Sequence, residues 1–168
     1  MQTIRAEQSG DLEGVRAVNE GAFPTRAEAD LVERLRSQAS PVISLVALDG
    51  TAIVGHILFS PATLERREPL RLMGLAPMAV LPSHQRRGIG SALVASGLDA
   101  CRNLGVDAVV VLGHARYYPR FGFCPASTFG LRSEYDVPDD VFMALELRPG
   151  SLAGSTGVVR YHDVFRSV

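Results

Sequence analysis

A single mixed β-sheet flanked by helices on both faces is the α/β fold this sequence predicts. Three observations carry it. Strand-length apolar runs alternate with stretches of helical periodicity. The run Ala108-Val109-Val110-Val111-Leu112 is continuous and β-branched, as in a strand covered on both faces. One long amphipathic stretch, Gly88 to Leu104, ends at a natural stop, Gly105.

In chain order, Gln2 to Ala6 reads as a short strand. A helix follows from Asp11, whose side chain suits an N-cap, with Leu12, Val15, Ala17 and Val18 apolar; Asn19 to Pro24 ends it. Leu31, Val32 and Leu35 place a second helix over Ala27 to Arg36. Val42 to Leu48 and Ala52 to Ser60 are strands joined by the hairpin turn Asp49-Gly50. After the polar loop Glu65 to Pro69, Leu70 to Val80 is an apolar strand. Pro77 within it predicts a bulge or a break in pairing. The long helix and the β-branched strand come next. A short helix over Arg116 to Phe121, broken by Pro119, precedes closing strands at Phe129 to Leu131 and Val141 to Leu147. The domain is expected to span residues 1–148. Residues 149–168 are a Gly/Ser-rich connector and a tail that either docks as a strand or stays mobile.

Composition excludes several function classes. At 168 residues and 46% apolar, one domain can bury a core without staples. A net charge of -1 argues against a nucleic-acid or anionic-membrane partner. No apolar run is long enough to span a bilayer, and residues 1–7 lack a signal-peptide core, so a cytoplasmic protein is expected. Cys101 and Cys124 form no disulfide framework, and His56, His84, His114 and His162 are too scattered to suggest a metal. All 17 basic residues are arginine. Without lysine there is neither a Walker A phosphate loop nor a Schiff base.

The chemistry concentrates between the strand ending at Val80 and the long helix. Gln85-Arg86-Arg87-Gly88-Ile89-Gly90-Ser91 opens that helix, where unpaired amides and the positive dipole end attract anions. Gly88 and Gly90 remove side chains that would keep an anion from those amides, and Arg86 and Arg87 supply charge-assisted donors. The pattern is a diphosphate cradle. A turn with a solvated arginine pair is the plainer alternative. A nicotinamide site is disfavoured, because a polar loop of seven residues separates strand from glycines and position 93 is Leu.

The segment resembles the Gln/Arg-x-x-Gly-x-Gly/Ala motif of the GCN5-related N-acetyltransferase (GNAT) superfamily. Tyr117-Tyr118-Pro119-Arg120-Phe121-Gly122-Phe123 resembles its second, aromatic-Tyr-x-x-x-Gly-Phe motif, and the element order is similar from about residue 2 to 148. Within the superfamily, the chain looks like the bacterial YhbS-like group. The resemblance implies splayed central strands, with acetyl-CoA as cosubstrate and no metal. It implies that Met78, Ala79 and Val80 meet the pantetheine and thioester, an amide near Ala79 or Val80 facing the oxyanion. Gln85, Arg86, Arg87, Gly88, Ile89, Gly90 and Ser91 would hold the diphosphate, with Tyr117 packing beside the cofactor. Tyr118 would protonate the departing thiolate.

This chain departs from the family in carrying Gly113-His114 where members often have Asn, and in a segment from Ala115 to Tyr118 that is one residue shorter. His114 is placed to act as general base, with a structural histidine as the alternative. Glu20, Glu28, Glu65, Glu134 and Asp136 stay open as substrate-side carboxylates. The acceptor pocket is expected near Phe23 to Arg36 and Glu65 to Arg71. The expected activity is acetyl transfer to a small-molecule primary amine. A protein N-terminus or lysine as acceptor, a non-catalytic acyl-CoA-binding module and a generic nucleotide-binding domain are the rivals. Dimers are common in the family, which leaves a homodimer open.

Overall fold

The structure, a computed structural model, describes residues 2–65 and 69–167. Along the chain these fold into β1 (Gln2–Ala6), α1 (Leu12–Ala22), α2 (Ala27–Gln38), β2 (Ile43–Asp49), β3 (Ala52–Leu64) and β4 (Leu72–Val80). Then come α3 (Ile89–Leu104), β5 (Ala108–Leu112), β6 (Cys124–Pro125), β7 (Leu131–Ser133), β8 (Phe142–Glu146) and β9 (Gly157–Arg160). The sheet runs β1-β2-β3-β4-β5-β8-β6, and β9 extends it by pairing with the far end of β3 and with β7. Within that run only β4 and β5 are parallel, joined by the crossover through α3.

Side-chain alternation assigns the two faces. Leu45, Ala47, Val109 and Val111 point to α3 and pack with Leu93, Val94, Leu98 and Cys101. Val46, Leu48 and Leu58 point the other way, under α1 and α2. Ala108 and Val110 share that second face with Leu131, Leu152, Val159 and Tyr161 from the C-terminal third. An ion-pair cluster of Arg16 with Glu20, Asp30 and Glu33 ties α1 to α2. No helix among the described residues is long and apolar enough to cross a membrane.

The predicted elements recur with shifted ends and three corrections. Tyr118 to Phe121 is a single 3₁₀ turn, because proline supplies no amide to carry an α-helix through it. Phe129 belongs to another 3₁₀ turn, and the strand expected there is Leu131–Ser133, which pairs with β9. Residues beyond 148 are built into the domain: β9 extends the sheet, and Leu152, Val159, Tyr161 and Val164 are buried. Within the polar loop, positions 66–68 lie outside the described residues.

What positions the site is the parting of β4 from β5. The two strands pair only from Leu72↔Ala108 to Leu75↔Val111. On its other edge β4 keeps pairing with β3 as far as Val80, through a register shift that sets Ala76 and Pro77 against the single residue Leu58. That extra residue is the bulge Pro77 predicts, and it bends β4 away from β5.

Candidate active site

Backbone direction at the fork follows from two hydrogen bonds. Leu81 N–H donates to the Val54 carbonyl on the β3 side at 2.9 Å. Amides alternate along a strand, so Val80 and Met78 turn theirs the opposite way, into the fork, while Ala79 turns to β3. This corrects the expectation for Ala79: it pairs with His56, and its side chain is buried. On the facing strand, Gly113 N–H donates to Val141 at 2.9 Å, which leaves the Leu112 amide pointing toward β4. Three backbone amides, from Met78, Val80 and Leu112, thus look into one gap.

At one end of this edge lies a cleft of about 410 Å³ lined by Val80, His84 to Arg86, Gly88 to Ser91, Tyr117 and Arg120. Its floor is the start of α3. Gly88 is the N-cap, at φ +83°, no side chain caps the helix, and the first helical bond runs from Ala92 N–H to the Gly88 carbonyl. The amides of the first turn therefore await an external acceptor. A β-carbon on Gly88 would meet nothing within 4 Å, so glycine serves the left-handed turn there. A β-carbon on Gly90 would meet the Tyr117 hydroxyl at 3.3 Å and Met78 Cε at 3.6 Å, so glycine there lets helix, aromatic turn and β4 converge. Arg86 is left-handed as well, at φ 63°. A non-glycine residue in that conformation is strained, and here it borders the anion-binding turn.

Around this floor, Gln85 Nε2 donates to the Val80 carbonyl at 3.0 Å. The Tyr117 hydroxyl and Ser91 Oγ lie 3.0 Å apart. Two lining residues are additions to the sequence-derived set. Arg120 stacks its guanidinium 4.5 Å over the Tyr117 ring while Nε donates to the Tyr117 carbonyl. His84 Nε2 donates to Asp49 Oδ2 at 3.0 Å, and this hydrogen bond leads the causes that hold the Asp49 carboxyl below its ordinary range. The Tyr-x-x-Arg spacing was the available signal for Arg120; nothing in the sequence marks the contact from Asp49 to His84. Arg87 does not line this cleft, and its charge acts on Asp49. The Ile89 side chain is buried in the core, leaving its backbone as the contribution to the cradle.

At the other end is a cleft of about 370 Å³ walled by Phe23, Leu75 to Met78, Leu112 to His114, and Tyr118. Tyr118 and His114 thus share a wall with the Met78 and Leu112 amides. Tyr118 packs edge-on against Tyr117 and Phe123. Burial, with a smaller push from Tyr117, raises its phenol to about 12. A phenol so raised stays protonated and able to donate at any ordinary pH.

The five carboxylates expected near the substrate do not line this cleft. Glu20 pairs with Arg16, and Glu134 accepts from the Tyr161 backbone N–H at 2.7 Å. Glu65 and Asp136 line separate surface clefts. Glu28 keeps one buried carboxylate oxygen without a hydrogen-bond partner. Of the expected acceptor walls, Phe23 is present. No group of three or more His, Cys, Asp or Glu side chains among the described residues could hold a metal ion.

Comparison with known proteins gives a consistent result. The family model described as the acetyltransferase (GNAT) family matches residues 12–123. The Escherichia coli protein called uncharacterized N-acetyltransferase YhbS is 36% identical over 163 residues, covering 96% of this chain and 97% of its own length. The crystal structure of the E. coli YhbS protein in complex with CoA superposes with a TM-score of 0.91, at 35% identity, covering 98% of this chain and 92% of that one. A GNAT family acetyltransferase from Brucella melitensis, in complex with acetyl-CoA, matches with a TM-score of 0.80, at 33% identity over 98% of both chains.

Proposed function

Because the chain belongs to the acetyltransferase (GNAT) family and is an acetyl-CoA-dependent N-acetyltransferase, we propose that it acetylates a primary amine of a small molecule by direct attack within the fork. The carrying observation is that one edge of β4 serves both clefts. Val80 lines the diphosphate cradle and Met78 lines the cleft that holds Tyr118.

The cosubstrate supplies an acetyl thioester; this chain supplies everything that orients and protonates. The first-turn amides of α3, with Arg86 and Arg120, hold the diphosphate. The fork-facing amides of Met78 and Val80 donate to the oxygen that gains charge as the amine attacks, a kind of stabilisation whose loss commonly costs ~10²–10³ in rate. Tyr118 gives its proton to the leaving sulfur. His114, on the wall of the same cleft, takes the proton the amine must lose. A cleft of about 370 Å³ with Phe23, Leu75, Met78 and Leu112 among its walls suits a compact amine next to an apolar group.

Release of free thiol from acetyl-CoA across a panel of small amines and short peptides tests this reading. Turnover with a small amine, lost in Tyr118→Phe, supports it. Turnover confined to peptides makes the protein a peptide acetyltransferase, and CoA binding with no turnover makes it a binding module.

A further inference from the structure

One residue of the C-terminal tail touches both strands of the fork. The Tyr161 ring lies on the bare backbone of Gly74 in β4, where a β-carbon would overlap ring carbons Cε1 and Cδ1. Gly74 is opposite Val110, one step before the last β4–β5 pair, Leu75↔Val111. The other end of the side chain reaches β5. Its hydroxyl faces the Leu112 amide, which opposes the upward push that burial exerts on the phenol. That amide is the one β4 leaves behind as it diverges. Tyr118, on the wall of the acetyl-side cleft, is close enough to act electrostatically on the same hydroxyl.

The tail holds this side chain in place from several directions. Glu134 accepts from its backbone N–H, Tyr135 stacks on the ring, and Phe165 packs against it. Tyr161 is 6% exposed, and its hydroxyl is buried without a hydrogen-bond partner. Leaving a hydroxyl buried and unpaired costs ~1–3 kcal/mol, whereas phenylalanine would fill the same space without that cost.

We propose that Tyr161 is a positioning residue for acetyl transfer, a strut across the root of the fork that fixes where β4 leaves β5. The ring braces β4 at Gly74, and the hydroxyl stands where β4 would otherwise pair with the Leu112 amide. The strut acts through those two strands. It sets the spacing between the Met78 and Val80 amides on one side and Leu112, Gly113 and Tyr118 on the other. The diphosphate cradle, built on α3, does not depend on it.

The inference rests on the acetyl-transfer reading of the fork, and the test separates the two. Tyr161→Phe keeps the ring and is expected to fold with unchanged or higher thermal stability. Loosening the Leu112 end lowers kcat about tenfold, while affinity for CoA stays within about twofold, since small misplacements are felt by the chemistry before the binding. Tyr161→Leu removes both ends of the strut and lowers kcat further, by about a hundredfold. A folded Tyr161→Phe with wild-type kcat and KM overturns the proposal, because a merely structural tyrosine would change melting alone. Should wild-type protein acetylate no amine, the transfer reading itself fails. Calorimetry on the same variants then decides for the strut. An acetyl-CoA to CoA affinity ratio shifted about fivefold or more supports it, and an unshifted ratio overturns it.

Discussion

The ring of Tyr118 lies flush on the backbone of Gly113, so that a β-carbon at residue 113 would overlap Cε2 and Cδ2. Glycine at 113 therefore seats the proton donor. Gly113→Ala should swing Tyr118 out of the cleft and reduce kcat by about the same factor as Tyr118→Phe, roughly 10²–10⁴, with little change in acetyl-CoA affinity. Steady-state kinetics beside calorimetry checks this, and an alanine variant with normal turnover would separate the contact from catalysis.

The position of the Tyr118 phenol, raised to about 12 by burial, has a signature in pH. Its folded value lies above the unfolded value near 10, so its contribution to stability is full below pH 10 and is lost between 10 and 12. As a donor it stays protonated through the working range. The kcat profile should then show no alkaline limb below about pH 11 that belongs to this residue. A limb at pH 8–10 that vanishes in Tyr118→Phe contradicts the assignment.

Gly90 converges on the Tyr117 hydroxyl and Met78 Cε, and Arg120 is held over the Tyr117 ring. Gly90→Val should abolish CoA binding while the circular dichroism spectrum and melting stay close to wild type. Arg120→Ala removes a charge-assisted donor worth ~1.5–3 kcal/mol and should weaken CoA about tenfold to a hundredfold. Isothermal titration reads both.

His56 is buried between Ser44 and Asn19, whose amide donates to Nδ1 at 3.2 Å while Nε2 lies 2.8 Å from Ser44 Oγ. Burial leads the causes that drop its pKa to about 3, with the Arg36 charge adding. The folded value is depressed, so stability is complete above the unfolded value near 6.5 and falls as pH drops toward 3. The expected slope is about 1.4 kcal/mol per pH unit. Urea unfolding between pH 6.5 and 5 should show that slope in wild type and its absence in His56→Gln.

The diphosphate cradle was legible because its chemistry is local. Gly88, Gly90 and the α3 amides are consecutive, and an anion site at a helix start is fully specified by neighbours in sequence. Pro77 announced the bulge for the same reason. The amide directions were not legible. Whether Ala79 or Val80 faces the fork depends on pairing with β3, a register that no single strand contains. The contact of Tyr161 with Gly74 joins residues far apart in the chain, and His84 with Asp49 joins a loop to a distant hairpin. Arg120 lay inside a recognised motif, yet its place in the cleft follows from how the 3₁₀ turn stacks it on Tyr117.

A crystal structure of this protein with CoA bound tests the central claim most directly. The account predicts diphosphate oxygens within hydrogen-bond distance of the Gly88–Ser91 backbone, and the pantetheine arm running along the Met78–Val80 edge of β4. A CoA molecule seated elsewhere at full occupancy, with the start of α3 left bare, would contradict it.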